Sequence, residues 1–262
     1  MKTGISTACL YARCETEQAF AQLNSLGVQN TEIFLQTFYE YRPEFAKKYH
    51  TELGNLNVNS VHVFTNNFEP QLFSKTRRGR GDGFYWLDQL MRSCQLFGAK
   101  NYTMHGIVRK DSGGGENFDY LGERINEIIS FCSRYGVNLC LENVCWCLYN
   151  RPGVFSQLKR RAGGLSGVFD LKQARRSGYP YQMYIKEMGQ SIAYAHLSDV
   201  DEKGAMCLPG KGICDFTEII KCLKGEGFDG TCLIEVYSDN YGDISELKTS
   251  LEYLDEIIYK IK

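Results

Sequence analysis

The stretch NLCLENV, residues 138–144, is an apolar run that ends in an acid. Leu139, Cys140 and Leu141 read as a buried strand, and Glu142 stands at the end of it. Seven other short, β-rich runs share this character. They are GISTACL (4–10), TEIFLQ (31–36), NSVHVF (59–64), NYTMHG (101–106), LSGVFDL (165–171), IAYAHLS (192–198) and TCLIEVY (231–237). Helical patterns lie between them. ETEQAFAQLNSLGV puts Ala19, Phe20, Leu23 and Leu26 on one face, and the C-terminal DISELKTSLEYLDEIIYKI does so with Ile244, Leu247, Leu251, Leu254 and Ile258. Gly27, Gly98, Gly136 and Gly227 each close a helical pattern just before a strand, the position where a left-handed residue turns the chain back into a sheet.

Eight strands alternating with eight helices, at about 33 residues per unit, predict an α/β fold: a single (β/α)8 TIM barrel filling residues 1–262. A doubly wound open sheet is the competitor, but it normally carries a glycine-rich turn after its first strand, and ACLYARCE has none. The longest stretches without a helical pattern follow strand three (TNNFEPQLFSKTRRGRGDGF), strand four (IVRKDSGGGENF) and strand seven (DVDEKGAMCLPGKGICDF). All three are expected as loops on the C-terminal face of the barrel, where such folds place their active sites.

The bulk composition excludes several classes. Hydrophobic residues make up 43% and charged residues 23%, with a net charge of −1, so no overall field attracts nucleic acid or an anionic membrane. No apolar run approaches the length of a membrane span, and the N-terminus lacks the apolar region of a signal peptide. The eleven cysteines are scattered, many of them inside apolar runs, and no C-x-x-C occurs. They read as reduced thiols of a cytoplasmic protein rather than as a zinc framework.

Glu142 has counterparts on the next three strands. Asp170 ends strand six, His196 lies near the end of strand seven, and Glu235 near the end of strand eight. A barrel brings these ends together over one mouth. Each acid alone reads as a helix cap or a lysine partner, but four in consecutive strands point to a metal set. Its oxygen-rich composition suits one Mn²⁺, Mg²⁺ or Co²⁺, with Zn²⁺ as a further candidate. His62 and His105 occupy strands three and four at similar depth, placed for substrate oxygens, a second metal or phosphate. Glu32 is a further inward candidate on strand two, and His50 reads as surface.

With these residues the chain resembles the xylose isomerase-like TIM barrels. That family includes sugar and sugar-phosphate isomerases and epimerases as well as the type IV apurinic endonucleases. The segments that carry the resemblance are GVNLCLENV, GVFDLKQA, AHLSD followed by PGKGICDF, and LIEVY. It implies that Glu142, Asp170, His196 and Glu235 bind one divalent metal. It also implies that Glu142 and Glu235 act as an acid/base pair on opposite faces of a bound sugar, moving a proton through an enediolate. The expected partner is a small carbohydrate or sugar phosphate, with His62, His105, Gln173, Lys203 and Lys211 as substrate-binding candidates. The Arg77-Arg78-Gly-Arg80 segment is a further candidate for a phosphate.

Two departures change the substrate side of this pattern. The family often has a histidine three residues after the strand-six acid, where this chain has Gln173. The arginine that epimerases tend to carry after the strand-seven histidine is absent from DVDEKGA. A sugar dehydratase or lyase on the same scaffold, an apurinic endonuclease-like repair enzyme and a non-catalytic binding barrel therefore stand as alternatives. Nucleic acid and membrane are not expected as partners. Family members are often dimers or tetramers, which leaves a homo-oligomer open.

Overall fold

The structure, a computed structural model, describes residues 1–109 and 115–261. In chain order the elements are β1 (Lys2–Ser6), α1 (Thr16–Ser25), β2 (Asn30–Leu35), α2 (Pro43–Tyr49), β3 (Asn57–Val63), α3 (Thr65–Leu72) and α4 (Arg77–Phe97). There follow β4 (Asn101–Met104), α5 (Phe118–Ser133), β5 (Asn138–Glu142), α6 (Val154–Lys159), β6 (Ser166–Asp170), α7 (Leu171–Arg176), α8 (Tyr181–Met188) and β7 (Ile192–Leu197). The chain ends with β8 (Asp199–Val200), β9 (Met206–Cys207), α9 (Phe216–Gly225), β10 (Thr231–Ile234) and α10 (Ser245–Lys260).

Eight of these strands close into a parallel barrel in the order β1-β10-β7-β6-β5-β4-β3-β2. The fold is the single (β/α)8 TIM barrel that the alternating pattern predicts. All eight expected strands are present, though several are shorter than their apolar runs; residues Thr7–Leu10, for example, form a 3-10 turn instead of extending β1. Gly27, Gly98, Gly136 and Gly227 all take positive φ, 70–84°. Each therefore turns a helix into the next strand in a conformation that costs other residues a steric penalty.

Helices cover the barrel through apolar stripes. On α5, Leu121, Ile125, Ile128 and Cys132 recur at helical spacing and are buried. On α10, Leu247, Leu254 and Ile258 do the same, and each such side chain contributes about 1.5–3 kcal/mol by leaving water.

The stretch after β3 differs from expectation. TNNFEPQL forms α3, and α4 begins at Arg77, seven residues before its apolar pattern starts. Thr76 explains the early start: its side chain accepts the Gly79 N–H and caps α4. Phe68 and Leu72 bury α3 against the core. The loop after β7 also contains structure, the β8–β9 hairpin. Of the stretch after β4, residues 110–114 lie outside the described residues.

Inside the barrel the strands' period of two decides what lies beneath the site. Cys140, Val168, Tyr194 and Leu233 form a separate buried cluster. Each precedes Glu142, Asp170, His196 or Glu235 by two residues, so it faces the same way one layer deeper. The apolar layer is the floor on which the polar layer stands.

All eleven cysteines are free thiols, and none is exposed. Among the described residues no helix is long and apolar enough to cross a membrane.

Candidate functional site

The parallel register aligns Asp170 with His196, His196 with Leu233 and Glu142 with Val168. With the strands tilted as a closed barrel requires, these side chains meet at the C-terminal mouth. Glu142, Asp170, His196 and Glu235 are all buried, and one donor atom from each lies within 4.8 Å of the others. His196 Nδ1 sits 3.4 Å from Glu142 Oε1, 3.6 Å from Glu235 Oε2 and 3.9 Å from Asp170 Oδ2. The four residues fit a divalent cation. Three carboxyl groups converging in a buried space can all be ionised only with positive charge among them.

Local bonds hold these groups in place. Asp170 also caps α7, because its Oδ1 accepts the Gln173 N–H at 2.6 Å. The Asn143 side chain clamps the ends of β5 and β6, accepting from Asp170 N at 2.7 Å and donating to Asp170 O at 2.8 Å. Glu32, fully buried beside a bulge in the β2–β3 pairing, lies beneath the histidines: its Oε1 is 3.1 Å from His196 Nε2 and 3.4 Å from His62 Nδ1. Ser60 and Thr103 hydroxyls donate to its other oxygen at 2.8 and 2.7 Å.

His62 and His105 are brought to the same site. Their Nε2 atoms are 2.9 Å apart, and His105 Nε2 is 2.7 Å from Glu142 Oε2. The other His105 nitrogen meets the Thr65 hydroxyl. His62, His105 and Glu142 form a second cluster with metal-ligand spacing, and Glu32, His62 and Glu235 a third.

Two groups carry no sequence signal of their own. Lys172, in the first turn of α7, is buried with Nζ 3.0 Å from Glu235 Oε2 and 3.6 Å from Asp170 Oδ2. Nothing separates it in sequence from an ordinary helix lysine. Glu69, fully buried on α3, accepts the His105 and Gly106 N–H groups at 3.0 and 2.9 Å and the Tyr102 hydroxyl at 2.7 Å. It fixes the backbone that carries His105, and the reading of this stretch as a loop hid it.

The electrostatics follow from burial opposed by neighbours. Burial disfavours ionised Glu235, but Lys172 and His196, with His62 Nδ1 3.5 Å from its other oxygen, outweigh it and bring its pKa down to about 2. Glu142 is likewise held well below its ordinary range, burial being overcome by His105 and His196. Burial opposes a charge on His62 as well, yet Glu235, Glu32 and Glu142 raise its pKa to about 10. Asp170 goes the other way: burial, with Glu142 and Glu235 beside it, outweighs Lys172 and lifts it to about 8.

A cavity of about 380 Å³ opens above this floor. His62, His105, Glu142, Lys172, Gln173 and Glu235 reach into it, and Tyr11, Phe34, Phe64, Trp146 and Tyr237 form much of its wall. Three of these five aromatics, Phe64, Trp146 and Tyr237, follow the ends of β3, β5 and β10 in the chain. Tyr41, Phe68 and Tyr149 are instead core residues, and Phe38 and Tyr39 lie exposed.

Three expected substrate contacts lie outside the lining of the cavity. Lys203 and Lys211 are exposed on the β7–α9 connection and do not line the cavity. Buried Asp199 ties that connection together, its carboxylate accepting N–H groups from Val200, Gly210, Gly212 and Cys214. The segment with Arg77, Arg78 and Arg80 is also outside; it forms the first turn of α4, and Arg80 donates to the Ser74 carbonyl at 3.0 Å. His50 is exposed, as expected.

The family model described as xylose isomerase-like TIM barrel matches residues 20–257. The chain belongs to that family. An uncharacterized protein of Mycobacterium tuberculosis, Rv0498, is 22% identical over 96% of this chain and 94% of its own length. Among solved members of this fold, D-psicose 3-epimerase with D-tagatose from Clostridium cellulolyticum H10 superposes with a TM-score of 0.79 at 16% identity. That match covers 98% of this chain and 99% of the epimerase. The IOLI protein with a bound zinc atom gives a TM-score of 0.76 at 16% identity, covering 99% of both chains. At these identities the likeness is one of fold.

Proposed function

We propose that this protein is a divalent-metal-dependent isomerase or epimerase of a small carbohydrate, with Glu142 and Glu235 as its acid/base pair. The observation that carries this reading is the convergence of Glu142, Asp170, His196 and Glu235, donor atoms within 4.8 Å, on the floor of an aromatic-walled cavity. Structural neighbours that include a sugar 3-epimerase and a zinc-binding protein support it. The metal, Mn²⁺, Mg²⁺, Co²⁺ or Zn²⁺, would be held by these four residues and would supply Lewis acidity toward substrate oxygens.

The remaining chemistry belongs to side chains. Glu142 and Glu235 both start ionised, the state a base needs. One removes the proton from the carbon next to the carbonyl; the other, once it has taken up a proton from solvent, delivers it to the opposite face, and the first then releases its proton to solvent. His62 and His105 donate hydrogen bonds to substrate hydroxyls, and Gln173 offers an amide at the same rim. The aromatic wall stacks on the apolar face of a sugar ring and excludes water. Among the described lining residues Lys172 is the only lysine or arginine, and it is paired with Glu235. An unphosphorylated sugar therefore suits the cavity better than a sugar phosphate.

The test is proton exchange in deuterated water on a panel of ketoses and their phosphates, with Glu142→Gln and Glu235→Gln beside the parent. Metal-dependent exchange on a free sugar, lost in both variants, is expected. Exchange that survives both variants overturns the acid/base assignment. About three zinc ions per chain together with cleavage at abasic DNA would support instead the endonuclease reading, for which the His62–His105–Glu142 cluster speaks.

A further inference from the structure

The buried floor of the cavity already holds a fixed cation. Lys172 extends from the first turn of α7 to Glu235 Oε2 at 3.0 Å and Asp170 Oδ2 at 3.6 Å. These two oxygens also face His196 Nδ1, at 3.6 and 3.9 Å. They therefore belong to the four-residue set with metal-ligand spacing. Lys172 is itself buried, 7% exposed, and its ammonium lies 5.1 Å from the Tyr237 ring at the cavity wall. A buried ammonium needs its carboxylate partners, and a divalent cation needs the same ones.

We propose that Lys172 is a displaceable internal cation that competes with divalent metal for Glu235 and Asp170. This inference rests on the metal reading above and goes beyond it. Without metal, Lys172 supplies part of the positive charge beside the buried carboxyl groups of Glu32, Glu142, Asp170 and Glu235, its nearest being Glu235. When metal enters, its charge repels the ammonium at contact distance, so Lys172 must give up at least its bond to Glu235. The competition weakens metal affinity and keeps the empty site folded. It also frees an ammonium inside the cavity only when metal is bound, where Tyr237 offers it a π face and a substrate oxygen an acceptor. The position matters: a lysine on the rim of the mouth would add repulsion without occupying two of the carboxylates.

The experiment is titration of the metal-stripped full chain with Mn²⁺, read by calorimetry and electron paramagnetic resonance, in the parent, Lys172→Met and Lys172→Arg. Lys172→Met, which keeps much of the side-chain volume, is expected to bind Mn²⁺ at least tenfold more tightly, while Lys172→Arg stays near the parent. Metal-stripped Lys172→Met is expected to melt below the parent, and saturating Mn²⁺ to remove that gap. Unchanged or weaker Mn²⁺ binding by folded Lys172→Met overturns the competition. A measurement on the parent alone covers the case in which the variant does not fold: acetylation of Lys172, followed by mass spectrometry, should rise on adding Mn²⁺. Labelling that Mn²⁺ leaves unchanged in metal-loaded protein overturns the proposal. The control Glu235→Ala separates the two readings. Metal bound by the parent and lost there, with no effect at Lys172, leaves the metal site standing and removes only the competition; absence of binding in every protein removes both.

Discussion

Glu32 Oε1 lies 3.1 Å from His196 Nε2, on the opposite side of the ring from Glu142, Asp170 and Glu235. The imidazole is thus held between a carboxylate beneath it and three beside its Nδ1. Glu32 itself is held by the hydroxyls of Ser6, Ser60 and Thr103. In the proposed metal site a partner of this kind would fix the orientation of His196 and raise its basicity. Glu32→Gln should therefore lower divalent-metal affinity about 10–100-fold without removing any of the four converging donors. Calorimetric titration with Mn²⁺ checks this; an affinity equal to that of the parent would reduce Glu32 to a packing role.

Trp146 lines the cavity and meets the His105 ring edge-on at 6.0 Å, yet it is 41% exposed. Its removal should cost binding more than stability. Trp146→Ala is expected to raise KM for the best sugar by about 5–15-fold, the worth of an aromatic contact of about 1–1.5 kcal/mol, with kcat changed less. The melting temperature should stay close to the parent's. A lowered kcat at constant KM would place Trp146 in the chemical step instead.

Glu69 sets a pH dependence of stability. Burial raises its pKa, against the opposing pull of His105, Tyr102 and the Gly106 N–H. The folded state therefore holds this proton more tightly than the unfolded chain does. Its stabilising contribution is full below the ordinary carboxyl pKa and is lost as pH rises through the folded value. Glu69→Gln cannot titrate there. The stability of the parent relative to this variant should fall as pH rises above about 4.5. Urea unfolding across the acidic and neutral range tests it, and parallel curves for the two proteins would contradict it.

Gly4 marks a backbone approach. A Cβ there would stand 2.2 Å from the Asn30 carbonyl oxygen and 2.8 Å from Leu233 Cδ2. Because the first of these is backbone of the neighbouring strand, the clash cannot be relieved by a rotamer. Gly4→Ala should destabilise the protein by about 3 kcal/mol, at the upper end of overpacking costs, by forcing β1 from β2 at the barrel seam. Urea unfolding measures it; a loss under about 0.5 kcal/mol, the scale of an ordinary surface substitution, would show that the seam yields.

The sequence by itself determined the barrel and four strand-end side chains that meet at its mouth. Period-two strands, helical stripes and glycines at helix ends are local signals, each fixed by the conformations that neighbouring residues allow. Glu142, Asp170, His196 and Glu235 were legible for the same reason, since each stands within one residue of the end of an apolar strand and a barrel gives those ends one meeting point. Tertiary structure alone decided the rest. Lys172 looks like an ordinary helix residue and Glu69 like an ordinary loop residue, and their burial comes from strands and loops far away in the chain. Lys203, Lys211 and the Arg77–Arg80 segment look available for phosphate, yet they stand outside the cavity lining, on a connection tied by Asp199 and in the first turn of the Thr76-capped α4. A charged side chain reads alike in sequence whether it faces water or three carboxylates; which one it meets depends on backbone hydrogen bonds made between residues distant in the chain.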